Sequence, residues 1–163
     1  ASSPAVVRNG DTEAVRRIAR ELEALEPDQA RYLAAFAFVL ARVANAEQGI
    51  SDDETHEMER IVAELGGLPE AQAALAVEMA KSRQRLFGAT EDYVVTRELN
   101  AVATREQKER LLHCLFEVSA ADERISLVEE NAVRQIATEL GFDHDVFTTI
   151  RAHYNAKRSI LRR

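Results

Sequence analysis

Apolar residues recur along this chain at intervals of three and four, with no convincing alternation at intervals of two. That rhythm is helical, because side chains three and four apart share one face of an α-helix. After a loose arm at residues 1–10, Val15, Ile18, Ala19, Leu22 and Leu25 mark a first amphipathic helix, with Asp11, Thr12 and Glu13 at its cap. Pro27 suits a first helical position and opens a second helix that runs to about Ala46. Tyr32, Leu33, Phe36, Phe38, Val39, Leu40 and Val43 surround most of that helix, which predicts a central one, buried by its neighbours. A third helix follows Ser51, presents Met58, Ile61, Val62 and Leu65, and stops at Gly66-Gly67. The fourth runs from near Pro69 to Gly88, the fifth covers Thr90 to Ala103, and the sixth extends from Thr104 to Ala121. A seventh follows Ser126 and stops at Gly141, and an eighth starts near Asp143 and holds Val146, Phe147, Ile150 and Tyr154.

The same pattern is written twice, 75 residues apart: Val43-Ala44-Asn45-Ala46-Glu47-Gln48-Gly49-Ile50-Ser51-Asp52-Asp53-Glu54 is answered by Val118-Ser119-Ala120-Ala121-Asp122-Glu123-Arg124-Ile125-Ser126-Leu127-Val128-Glu129. The match continues through Ile61/Ile136, Glu64/Glu139, Leu65/Leu140 and Gly66/Gly141. It maps the second, third and fourth helices onto the sixth, seventh and eighth, as repeat units of about 30–87 and 105–157. Short connections suit antiparallel neighbours. The expected fold is therefore all-α, a compact bundle of about eight helices with an internal pseudo-two-fold repeat, forming one domain over residues 11–163.

Composition narrows the function classes. The 163 residues carry a formal net charge of −7, which argues against nucleic-acid binding, since that needs clustered Lys and Arg. One cysteine, Cys114, leaves no intrachain disulfide framework and no Cys-based zinc site, and fits a reducing compartment. The longest apolar run, Leu33 to Leu40, is far below the roughly 20 residues that span a bilayer. A first residue other than Met points to a trimmed chain or to a domain cut from a longer protein, which leaves upstream targeting signals open.

The repeated corners carry the candidate chemistry. Ser51 to Glu54 and Ser126 to Glu129 both fit the S-x-x-E capping box, in which the serine oxygen accepts from the third backbone N–H and the glutamate reaches back to the serine N–H. Capping alone explains the serines and offers one account of Glu54 and Glu129. Glu47 and Asp122 are harder to explain, because each acid falls at the C-terminal end of a long helix, facing unpaired carbonyls. An acid kept twice at an unfavourable end, seven residues before another acid across a tight corner, can converge with backbone carbonyls on a hard cation. Oxygen donors of this kind favour Ca²⁺ or Mg²⁺. The candidate metal ligands are Glu47, Glu54, Asp122 and Glu129; the alternative is that Glu47 and Asp122 are solvated surface acids. The loops are not EF-hands, since Gly49, Ser51, Arg124 and Ser126 stand where alternating acids belong.

Other residues carry weaker signals. His56-Glu57-Met58-Glu59-Arg60 ends in Arg where a zincin helix needs His, so His56 reads as a surface residue. His113 and Cys114 lie on an apolar helix with no orienting acid at a diagnostic spacing, so a packed pair is expected instead of a nucleophile. His144 and His153 are nine residues apart, too far to share an ion. Lys157, Arg158, Arg162 and Arg163 make a basic end that complements a helix dipole or meets an anionic surface or acidic partner.

With these residues in place, the chain resembles the TerB-like family of bacterial tellurite-resistance and related stress proteins, whose members carry an Ala-Asp-Gly-x-Ile-Ser-x-x-Glu corner. The matching segments are Ala121 to Glu129 and, more loosely, Ala46 to Glu54, and the organisation agrees from about Ala30 to Tyr154. Gln48 and Glu123 stand where the family often has Gly, and Glu47 replaces its Asp. The resemblance implies an all-α fold, a divalent-metal or ligand role for the four acids, and work beside unidentified protein partners at or near the membrane, on its cytoplasmic side. It implies no catalysis. Tellurite itself is an oxyanion, which an acidic chain with one cysteine is badly equipped to sequester or to reduce through a dithiol. Three functions follow in order: a non-enzymatic ligand-binding module, a pure interaction scaffold whose acids only cap helices, and an enzyme using Glu54 and Glu129 across a shared cleft. Oligomeric state is left open.

Overall fold

A computed structural model describes the backbone of residues 9–44, 51–88, 92–121 and 127–161, and the side chains of residues 13–44, 51–88, 94–119 and 130–156. Among the described residues there are nine helices and no strand: α1 (Asn9–Glu23), α2 (Pro27–Ala44), α3 (Asp52–Gly66), α4 (Glu70–Lys81), α5 (Arg83–Phe87), α6 (Asp92–Val102), α7 (Arg105–Ala121), α8 (Leu127–Glu139) and α9 (His144–Leu161). The all-α expectation holds. α1 takes in Asn9 and Gly10, which the sequence pattern assigns to the arm; a first helical turn buries too little to leave a periodic signal.

The predicted central helix is central. Ten residues of α2 are buried, Leu33, Phe36 and Leu40 completely, and α1, α4, α5, α6, α7 and α8 all pack against it. Pro27 occupies its first position as expected. The repeat is visible as paired packing: α3 on α7 is answered by α8 on α2, α2 on α4 by α7 on α9, and α3 on α4 by α8 on α9. Each half therefore lends its long helix to the core of the other.

Two features of the layout matter, and the first departs from expectation. The single fourth helix is divided at Ser82, whose backbone (φ −110°, ψ 21°) closes α4 and whose carbonyl starts α5 by accepting from the Leu86 N–H at 3.0 Å. The division turns Phe87 edge-on to Phe38, with ring centroids 5.3 Å apart, and lays the Arg83 guanidinium over the same Phe38 ring at 4.6 Å. The sequence there, Lys81-Ser82-Arg83-Gln84, has no Gly or Pro to announce a break. Secondly, α6, which falls between the two repeat units, is part of the core: it lies along α2 and also touches α8, burying Val95, Thr96 and Leu99.

Helix ends follow local chemistry. Gly67 takes the left-handed φ of 69° that ends α3, while Gly66 stays helical. A Cβ on Gly66 would stand 3.1 Å from Phe36 Cζ, so its smallness serves packing and only Gly67 serves the turn. Gly141 (φ 87°) ends the stretch after α8 in a Schellman motif: Phe142 N–H donates to Ala137 O at 3.0 Å and Gly141 N–H to Thr138 O at 3.0 Å. Phe142, 5 % exposed, then turns into the core and anchors the start of α9.

Candidate functional site

Of the four candidate acids, Glu54 is the one whose side chain is described. Ser51 (φ −66°, ψ 165°) caps α3, its Oγ accepting from the Glu54 N–H at 3.1 Å. The second arm of the expected capping box differs: the Ser51 hydroxyl donates to Glu54 Oε1 at 3.1 Å, where the sequence pattern predicted the serine N–H as donor. The one hydroxyl thus accepts from the backbone N–H and donates to the carboxylate at once, at a position where both side chains are exposed. One turn on, Thr55 Oγ1 donates to Ser51 O at 3.0 Å and accepts from Lys81 Nζ of α4 at 3.1 Å. Asp52, Asp53 and Glu54 thus stand exposed in the first turn of α3, where they complement the helix dipole.

Glu47, Asp122 and Ser126 lie outside the described residues, as does the side chain of Glu129 on the first turn of α8. Arg162, Arg163 and the side chains of Lys157 and Arg158 lie outside them too. Among the described residues, no group of three or more His, Cys, Asp or Glu side chains is placed to hold a metal ion.

The weaker sequence signals resolve clearly. His56 is exposed, as expected for a surface residue, and His144 pairs with Thr148 Oγ1 of its own helix at 3.3 Å. Cys114 is 0 % exposed, and burial, followed by the Glu117 charge, pushes its thiol up to about 12. His113 turns away from it, its Nδ1 3.2 Å from the Tyr154 hydroxyl of α9. Burial holds the His113 imidazole below its ordinary range, reinforced by His153 and opposed by Glu109. Burial likewise pushes the Tyr154 phenol up to about 12, with Glu117 and Cys114 adding to it. A nucleophile needs a thiolate within reach of a base; this pair supplies neither.

Three features of the site region carry no sequence signal, because their members are far apart in the chain. Arg42 of α2 donates through Nη2 to Gln135 Oε1 at 2.9 Å and stands 3.8 Å from Glu139 Oε2, while Thr96 of α6 donates to Glu139 Oε1 at 3.3 Å. Asn100 Nδ2 and Lys108 Nζ donate to the Glu139 and Leu140 carbonyls at 2.8 and 3.3 Å, satisfying the end of α8. A cleft of about 250 Å³ opens between α2, α5 and α6, lined by Ala34, Ala35, Phe87, Val94 and Val95 together with the Arg31–Glu98 ion pair.

The two halves of the helical bundle exchange their long helices, and an acidic first turn capped by Ser51 opens α3. The family model described as tellurite resistance protein TerB matches residues 32–152, a span that covers both halves of the repeat. The chain belongs to the TerB family and is a module of that tellurite-resistance type. Searches of curated proteins and of solved structures returned no match. Among the described residues, no helix is long and apolar enough to cross a membrane.

Proposed function

We propose that this TerB module binds a divalent cation, Ca²⁺ or Mg²⁺ by preference, at its acidic corners, and that binding biases its contacts with protein partners without any catalysis. The observation that supports this reading is the repetition itself. Glu47 follows the end of α2 and Asp122 the end of α7, two helices that occupy equivalent places in the packing. An acid beside unpaired helix-terminal carbonyls is unfavourable on its own and becomes favourable once a cation joins the two. Glu54 and Glu129, across each corner, complete the oxygen set. Capping competes for Glu54, whose carboxylate is held by Ser51, so Glu47 and Asp122 are the residues on which the proposal stands.

The alternative is a scaffold whose acids bind nothing, supported by the Ser51–Glu54 cap. Thermal unfolding with Ca²⁺, Mg²⁺, Mn²⁺ or Zn²⁺ against EDTA separates the two readings. At a hundred times Kd, an ion that binds the folded state adds about 2.7 kcal/mol of stability. The wild type is expected to gain on that scale, and a Glu47→Gln/Asp122→Asn variant is not. An equal response of both proteins to every ion leaves the scaffold.

A further inference from the structure

We draw no further inference here: the strongest candidate, the apolar cleft of about 250 Å³ between α2, α5 and α6 beside the Arg31–Glu98 ion pair, is an unpartnered apolar face, and nothing in the structure shows what covers it.

Discussion

Burial decides what the reactive side chains of this molecule can do, and Cys114 shows it most plainly. With 0 % exposure and a thiol pushed up to about 12, it holds a negligible thiolate fraction near neutral pH. A thiol-directed reagent at pH 8 is expected to leave the native protein unlabelled and to react at once in denaturing urea. Rapid native labelling would contradict the packing around α7. His113 adds a pH dependence with a definite sign. Its pKa in the folded state lies below the ordinary value of 6.5, because burial and His153 disfavour the cation. Its contribution to stability is therefore intact above about pH 6.5 and is lost as pH falls through the lowered folded-state value. The urea midpoint should fall less between pH 7.5 and 5 in His113→Gln than in the wild type, and an identical fall would remove His113 as the source. The apolar helix around them already predicted a packed Cys114 and His113, but not the partner that His113 meets across the core. That partner is Tyr154, 41 residues away on α9.

Among the elements, the helices were legible because their apolar faces repeat every three to four residues, and their ends were legible where a residue type has a local conformational reason to be there. Pro27 opens α2 and Gly67 and Gly141 close their helices for such reasons. The break at Ser82 was not legible, because it is made by tertiary contacts of Phe87 and Arg83 with Phe38, and no local rule requires it. The best-formed capping box lies outside the repeated corners. Thr104 Oγ1 accepts from the Gln107 N–H at 3.1 Å while Gln107 Oε1 accepts from the Thr104 N–H at 2.8 Å, a reciprocal pair at the start of α7. This Thr-x-x-Gln makes both bonds of the box, where the Ser51 corner makes one of them. Ser51→Ala and Thr104→Ala are each expected to cost about 1 kcal/mol in urea unfolding, the range measured for lost caps. Gly141→Ala meets open space, so it should cost only the left-handed strain of about 1–2 kcal/mol. Gly67→Ala should cost more than Gly141→Ala, because its Cβ lands against the Arg110 side chain, with Cδ 3.2 Å away, and displaces it from Glu106. Equal costs at the two glycines would show that Arg110 yields freely.

At the scale of the whole molecule, the duplicated sequence implied two equivalent halves, and the packing shows why neither half is self-sufficient. α2 is covered by α7 and α8 of the second half as well as by α4 of its own, and α6 is laid along α2 while also touching α8. The interlock has a polar joint at Arg42, Thr96, Gln135 and Glu139, contributed by α2, α6 and α8. Glu64, the repeat counterpart of Glu139, is exposed and pairs within its own helix with Arg60, so the same residue type is a surface acid in one copy and a joint in the other. That divergence could not be read from a match of letters; it depends on α6, which has no counterpart in the first half. The joint is sheltered, with Arg42 and Glu139 side chains 16 % and 21 % exposed, and Glu139 Oε2 has no hydrogen bond, only the Arg42 charge nearby. Removing the cation should therefore do more harm than removing the acid, because it leaves a sheltered carboxylate without compensation. Arg42→Met is expected to cost about 2 kcal/mol, Glu139→Gln less, and the double variant less than the sum of the two. Strict additivity in that double-mutant cycle would mean that Arg42 and Glu139 are not coupled, leaving the Arg42–Gln135 hydrogen bond and apolar packing to hold α2 against α8.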